Sequence, residues 1–212
     1  MEAKDLKSFF KTGIENVLVD HLSRYGFKWR YGSLKFQRSK DDFVQSILFF
    51  LTPSKYQDDK SIGHISIMIR LDSNEITKVA TRLKGANNKF DAIDTVLNVN
   101  AGLISGSKAI EWRPTSIEDM NILIEKEIKP LIIEKIIPFL NDRSTMNNVL
   151  DDFENHNTYF FSNSNDVVAL LAIAMYCLQN KLESANKVAN EYLLSDDIYR
   201  EKYKNVLIKL NS

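Results

Sequence analysis

The spacing of apolar residues changes abruptly at Gly26, and this change limits the folds open to the chain. Before Gly26, apolar residues recur at i, i+3 and i+4, the pattern of one helix face. They are Leu6, Phe9, Phe10, Ile14, Val17, Leu18, Leu22 and Tyr25. Glycine adopts left-handed backbone angles at low cost, so Gly26 is suited to end this helix. After Gly26 apolar and polar residues alternate, which predicts an N-terminal helix packed on a sheet, an α+β fold.

The alternating part predicts an antiparallel sheet of about six strands joined mostly by short turns. A turn at residues 31–33 makes the first two strands a hairpin. The predicted strands are residues 27–30, 34–38, 43–52, 65–70, 97–103 and 109–113. Asp72 and Glu75 have the spacing of a capping box, which predicts a short helix that ends at Gly85. Gly106 is predicted to form the hairpin turn between the last two strands.

From Thr115 onward the pattern is helical and predicts a C-terminal helical region. Thr115 and Glu118 form a second potential capping box, Pro130 is expected to kink or restart the helix, and Ser144 can cap the next one. Residues 155–165 are rich in Asn and Ser and are the best candidate linker. We therefore expect a helix-and-sheet domain with following helices at residues 1–154 and a helical extension at residues 155–212. The extension either stands alone or packs as one domain with the first.

Composition excludes several classes of protein. Basic and acidic residues are equally frequent, at 28 each, so no overall field attracts nucleic acid. Cys177 is the single cysteine and lies in an apolar stretch, which predicts a buried thiol and no internal disulfide. Residues 1–5 lack the apolar core of a signal peptide, and no run is long enough to cross a bilayer. We expect a reducing, aqueous compartment, the cytoplasm.

No spacing typical of catalysis or metal binding occurs in the sequence. His21, His64 and His156 are scattered and lack acidic neighbours at ligand spacing, so we predict no metal and no cofactor. The adjacent carboxylates are expected to serve turns and helix caps, because neighbouring side chains point apart; they are Asp41-Asp42, Asp58-Asp59, Asp151-Asp152 and Asp196-Asp197. Residues 102–108 resemble a phosphate-binding loop only in part, since the glycine spacing is one residue short.

Two groups of aromatic and cationic residues are candidates for binding a partner. Trp29, Arg30 and Tyr31 lie on the first hairpin, and Trp112 and Arg113 lie at the end of the last predicted strand. These residue types dominate the binding energy of protein interfaces, and the groups would form one surface if the two strand edges met. The favoured alternative is that both tryptophans complete the core against the first helix.

A series of short motifs between residues 6 and 139 resembles an uncharacterised bacterial family, a domain of unknown function. The matching segments are Gly26-Phe27-Lys28, residues 34–38, residues 43–50, Trp112 and Pro138-Phe139-Leu140, whereas Phe49-Phe50 and the last three helices depart from the family pattern. The resemblance brings no reaction and no catalytic residues. Some similar domains look like immunity proteins, which neutralise a toxin, so the resemblance implies a protein partner.

Two functional hypotheses follow. The first is a non-enzymatic protein-binding module, of which an immunity protein is one kind. The alternative is a small-molecule-binding protein or an unrecognised enzyme, with a pocket between sheet and helix that includes His64 or Arg70. The sequence predicts no membrane partner and does not decide the oligomeric state.

Overall fold

The α+β prediction is confirmed by a computed structural model, which describes residues 3–54, 60–85, 91–106, 108–156, 164–195 and 197–210. The chain forms two compact units. The first consists of residues 1–70 and 99–144, and the second of residues 71–98 and 145–212. The second unit is thus larger than the helical extension predicted from the sequence, because it also takes in residues 71–98 and 145–154. Most of the predicted linker lies outside the described residues.

The helices of the described residues are numbered here in chain order. Three of them contain π-helical turns. The helices are α1 (residues 3–23), α2 (Asn74–Lys84), α3 (Ala101–Ile104), α4 (residues 117–142), α5 (Met146–Glu154), α6 (Asn165–Leu178), α7 (residues 182–194), α8 (Asp197–Tyr203) and α9 (Val206–Leu210). None of them is long and apolar enough to cross a membrane, within the part of the chain that is described.

Helix α1 follows the predicted pattern over most of its length. It comprises Ala3–Ile14, a π-helical turn at Glu15–Val19, and Asp20–Ser23. Its buried side chains are Leu6, Phe10, Ile14, Leu18 and Leu22, whereas Phe9 and Tyr25 are exposed. Gly26 has a φ of +82°, the left-handed conformation expected just beyond a helix end.

The sheet is antiparallel and has five strands in the order β1-β2-β3-β4-β5. The strands are β1 (Lys28–Arg30), β2 (Lys35–Lys40), β3 (Phe43–Pro53), β4 (Gly63–Asp72) and β5 (Leu97–Asn100). The predicted first hairpin is present: a short 3₁₀ turn, Tyr31–Ser33, joins β1 to β2. Its register places Trp29 opposite Phe36, and Phe36 opposite Ile47 on β3.

One face of β2, β3 and β4 packs against α1. The rings of Phe10 on α1 and Phe49 on β3 meet edge to face, with centroids 5.9 Å apart. A Cβ at Gly63 would meet Leu6 of α1, so Gly63 and every second residue after it on β4 turn toward that helix. Side chains at the alternate positions lie on the opposite face, which we call the outer face. On β1 and β2 that face carries Lys28, Arg30, Lys35, Gln37 and Ser39.

The predicted sixth strand is wrong, and the predicted fifth is shorter than expected. After β5 the chain forms the short helix α3, because the Asn100 side chain accepts the N–H groups of Gly102 and Ile110 and so caps the helix. Residues 109–113 contribute only an isolated antiparallel bridge between Trp112 and Ile65. Gly106 has a φ of +80° and forms a turn after α3, so the hairpin predicted there is also wrong.

Helix α4 continues through both of its prolines. π-helical turns at Ile124–Ile128 and Ile132–Ile136 come directly before Lys129-Pro130 and Ile137-Pro138. A proline lacks an N–H and its ring crowds the carbonyl four residues earlier, and a widened turn accommodates both effects. In these turns the N–H of Lys129 donates to the carbonyl of Ile124, five residues earlier. The restart predicted at Pro130 does not occur.

The predicted helix caps are displaced by one residue. The Ser116 hydroxyl, and not that of Thr115, accepts the N–H of Asp119, and the Asp119 carboxylate accepts the N–H and hydroxyl of Thr115. Thr145 rather than Ser144 caps α5. Ser73 precedes α2 and makes no side-chain capping bond, so the capping box predicted at Asp72 is wrong.

The second unit is built around α6, which is apolar on nearly its whole circumference. Ten of its residues are buried, as expected for a helix surrounded by other elements. Helices α2, α5 and α7 pack against it. The prediction that this helix forms the centre of the C-terminal helices agrees with that packing.

Candidate functional site

The hairpin of β1 and β2 holds Trp29 firmly and leaves Arg30 and Tyr31 exposed. The Trp29 ring packs on Phe36 with centroids 4.7 Å apart, and its Nε1 donates to the Glu15 carboxylate at 3.0 Å. Trp29 is therefore half-buried against α1, as the core alternative expects. Tyr31 is 51% exposed, and its ring lies under the ammonium of Lys11, 3.5 Å from the centroid.

The second predicted group lies elsewhere on the sheet. Trp112 is only 8% exposed, exchanges two backbone hydrogen bonds with Ile65 of β4, and donates from Nε1 to the Glu127 carboxylate at 2.9 Å. Arg113 is exposed and forms an ion pair with Glu111 at 2.8 Å. Strands lie about 4.8 Å apart, so roughly 14 Å of sheet separates β1 from β4. The structure does not bring the two groups together into one surface.

Three cations on the outer face, Lys28, Arg30 and Lys35, define the candidate site. Arg30 on β1 lies directly opposite Lys35 on β2, and Lys28 lies opposite Gln37. None of these three cations has an ion-pair partner among the described residues. We call these three cations, together with Tyr31 in the adjoining turn, the basic surface, although the Tyr31 ring contacts Lys11 of α1 on the other side of the hairpin. Sequence reasoning included Arg30 and Tyr31 but missed both lysines, although alternation alone places Lys28 and Arg30 on one face.

A cavity of about 450 Å³ opens next to these cations, and we call it the basic hollow. It is lined by Gly26, Lys28, Arg30, Gln37, Arg38, Ser39 and Val44. No lining residue is acidic, and Gln37 and Ser39 add neutral hydrogen-bond donors. An ammonium, a guanidinium, an amide and a hydroxyl around one cavity suit a ligand with negatively charged oxygen atoms.

Beneath the hollow, Arg38 is buried and fixes several elements of the first unit. Its guanidinium donates to the Gln45 side chain at 2.8 Å, to the Tyr25 carbonyl at 2.7 Å and to the Asn141 side chain at 2.7 Å. Gln45 in turn donates to the Leu140 carbonyl at 2.6 Å. Each of the three guanidinium nitrogen atoms donates one of these bonds, so Arg38 is held in a fixed position beneath the site.

The charge of Arg38 is compensated by neutral oxygen atoms. Burial lowers the pKa of Arg38, and the nearby charge of Asp41 opposes that effect. Tyr25 follows the C-terminus of α1, and Leu140 and Asn141 lie in the last turn of α4. Helix C-termini carry partial negative charge, which stabilises a cation placed there. The signal in the sequence was a polar residue at a buried position, since Arg38 shares a face with Phe36.

The two residues of the alternative hypothesis, His64 and Arg70, do not lie between the sheet and α1. Both side chains are half-buried on the outer face of β4, whereas Ile65, Ile67 and Ile69 fill the face toward α1. His64 lies with its Nδ1 3.4 Å from the Glu111 carboxylate. Among the described residues, no group of three or more His, Cys, Asp or Glu side chains is placed to hold a metal ion.

The remaining histidines lie in structural positions, whereas Asp151 and Asp152 lie within α5 and not in the predicted turn or helix cap. His21 is half-buried on α1 and His156 is exposed beyond α5. Asp41 has a φ of +49° in the turn between β2 and β3, as the predicted turn role expects. Asp58-Asp59 and Asp196 lie outside the described residues.

In the second unit, a buried carboxylate joins the start of α6 to α8. Asp166 accepts hydrogen bonds from Ser164, from Lys202 Nζ at 2.7 Å and from Tyr203 Oη at 2.6 Å. Burial alone would raise the pKa of Asp166, but these hydrogen bonds hold it well below its usual value. Burial and the bond to Asp166 raise the pKa of Tyr203 to about 12.

Cys177 is half-buried and not fully buried as predicted, whereas Tyr176 is buried. Partial burial raises the pKa of the Cys177 thiol, which favours its protonated form. Burial and the hydrogen bond to Glu154 raise the pKa of the Tyr176 hydroxyl. Both raised pKa values favour the protonated forms, which are poorer nucleophiles than the thiolate and the phenolate.

Comparison of the chain with models of known protein families, with curated proteins and with solved structures found no match in any of the three. The candidate site therefore rests on its own geometry.

Proposed function

We propose that the protein is a non-enzymatic protein-binding module, and that it binds its partner through the basic surface. The observation that carries this proposal is the exposure of Arg30 and Tyr31 on a hairpin held rigidly from below by Trp29. Tyrosine and arginine supply much of the binding energy at interfaces, most effectively where little order has to be gained on binding. A supported hairpin meets both conditions.

The class of partner is proposed from the sequence. The resemblance of residues 6–139 to a bacterial family with immunity-like relatives favours a toxin as the partner, through association and not through shared chemistry. The alternative of a small-molecule or catalytic pocket has less support, because His64 and Arg70 lie on the face of β4 away from α1.

Removal of the two exposed side chains tests this function. The double variant Arg30→Ala, Tyr31→Ala is compared with the parent by affinity co-purification from the native cell and mass spectrometry. We expect the parent to capture a protein that the variant loses. With purified partner, the affinity should fall by roughly 30-fold or more, since hot-spot residues contribute about 2 kcal/mol or more.

Arg113→Ala is the matched control, because Arg113 is also exposed and belongs to the other predicted group. It should retain the partner. All three proteins should have the same thermal midpoint, since the altered side chains are exposed. Retention of every captured protein by the Arg30, Tyr31 variant would show that this surface is not the binding site.

A further inference from the structure

We infer that the basic hollow holds carboxylate groups of an extended acidic segment, so that Asp and Glu side chains identify the partner. This inference rests on the proposed function for its claim that the segment belongs to a protein. It adds the chemistry that the basic surface recognises and the part of the surface that does so.

The groups around the cavity are suited to carboxylates. Lys28 and Arg30 are cations, Gln37 and Ser39 are neutral donors, and no acidic side chain lines the hollow. The planar guanidinium of arginine matches the two oxygens of a carboxylate, and lysine adds a compact charge. The volume of about 450 Å³ is in the range of ordinary ligand sites.

The free protein also pairs two like charges across neighbouring strands. Arg30 and Lys35 lie directly opposite each other on neighbouring strands, and like charges in such positions are destabilising. Neither has an ion-pair partner among the described residues. Lys35 does not line the hollow, but a carboxylate bound to Arg30 in the hollow would offset the repulsion between the two cations.

The distance between the two cations on β1 matches the repeat of an extended peptide. Lys28 and Arg30 are two residues apart on one face of β1, which separates them by about 7 Å. Alternate side chains of an extended peptide repeat at the same distance. An acidic segment that lies along β1 can therefore present one carboxylate to each cation.

A competing explanation is that these cations only protect the sheet edge. β1 is a three-residue strand at the edge of the sheet, and short edges with lysines discourage pairing with other chains. Such protection requires no bound anion. It predicts that acidic peptides do not saturate the protein.

The test uses fluorescein-labelled hexaglutamate as the probe and fluorescence anisotropy as the readout. The parent should bind it saturably at low salt and should not bind labelled hexaglutamine. The variant Lys28→Gln, Arg30→Gln should bind it about tenfold more weakly or worse. The control Lys7→Gln, Lys126→Gln removes two exposed cations of the first unit and should bind like the parent.

Three results would overturn the inference. They are the absence of saturation at millimolar peptide, an equal loss of binding in both double variants, and tighter binding of a thymidine hexanucleotide, which would assign the surface to nucleic acid. A failure of the proposed protein-binding function can be told apart from a failure of the carboxylate site. If hexaglutamate binds at Lys28 and Arg30 while the Arg30, Tyr31 variant keeps every cellular partner, the carboxylate site stands and the protein-binding function fails.

Discussion

At the scale of single residues, the first unit depends on a buried cation that no carboxylate contacts through a hydrogen bond. Arg38 is bonded to one carbonyl and two amide oxygens. Removal of this donor leaves the buried Gln45 side-chain oxygen without its partner, whereas Asn141 keeps a second hydrogen bond from Lys40. The cost is therefore set by the oxygens that remain as much as by the bonds that are lost.

We expect Arg38→Met to lower the free energy of unfolding by about 2–4 kcal/mol, because three acceptors lose a charged donor. Urea unfolding followed by tryptophan fluorescence measures the change. Arg24→Met, at an exposed position directly after α1, should stay within about 0.5 kcal/mol of the parent. A loss at Arg38 no larger than the loss at Arg24 would show that the network contributes little.

The carboxylate of Asp166 makes stability depend on pH in a definite direction. Because its folded pKa lies below the unfolded value near 4, its charge stabilises the fold above that value, and the contribution is lost as pH falls toward the folded pKa. Asp166→Asn should therefore be less stable by about 2–4 kcal/mol at neutral pH. The difference from the parent should shrink below about pH 4.

Thermal or urea unfolding at several pH values measures this difference. Asp197→Asn is the control, since that carboxylate is exposed and should change stability little. A gap between Asp166→Asn and the parent that is constant from neutral pH to pH 3 would contradict the assigned role of the charge.

At the scale of elements, the sequence predicted which side of each helix or strand is buried better than it predicted where each one ends. The helix and the first four strands follow from periodicity alone, because apolar spacing records which side of an element is buried. The fifth strand was predicted too long since Leu97, Val99, Ala101 and Leu103 alternate. The strand ends where the Asn100 side chain accepts a hydrogen bond from the N–H of Gly102, and a hydropathy pattern does not reveal such a bond.

The candidate site could be predicted only in part for the same reason. Arg30 and Tyr31 stood out by residue type, and the structure leaves both exposed. The separation of Trp29 from Trp112 depends on strand order, which is a long-range property. The charged partner of each tryptophan, Glu15 or Glu127, lies 14 or 15 residues away and on another element.

The close packing of α3 against Lys108 and Ile110 can be tested at Gly102. A Cβ there would lie 2.3 Å from the Lys108 carbonyl oxygen and 2.5 Å from the Ile110 side chain. Gly102→Ala should therefore lower stability by about 1–3 kcal/mol, the usual cost of overpacking. Gly32→Ala is the control, because a Cβ at Gly32 meets no atom within 4 Å. Equal thermal midpoints of the two variants would show that the segment adjusts freely.

At the scale of the whole molecule, the two units are not consecutive in sequence. Residues 71–98 belong with residues 145–212, so the chain leaves the first unit and later returns to it. Within the second unit, α2 buries Ile76, Ala80 and Leu83, and α6 packs against it. The domain boundary predicted near residue 155 separates these two helices.

A chain that ends at residue 154 tests that boundary. It keeps α2 but lacks α6, and its exposed apolar residues should make it aggregate or unfold without a cooperative transition. Size-exclusion chromatography and circular dichroism on heating compare it with the full chain. A monomer that unfolds cooperatively would show that the sequence-based boundary is correct.

The hydrogen bond between Arg38 and Asn141 spans 103 residues, and this span has a consequence for synthesis on the ribosome. At about 5–20 residues per second, Asn141 is made roughly 5–20 s after Arg38. During that interval the guanidinium lacks an acceptor that it needs before it can leave water. Phe49 can pack on Phe10 of α1 within that interval, whereas the polar bonds that join β2 to the end of α4 form only after α4 has been made.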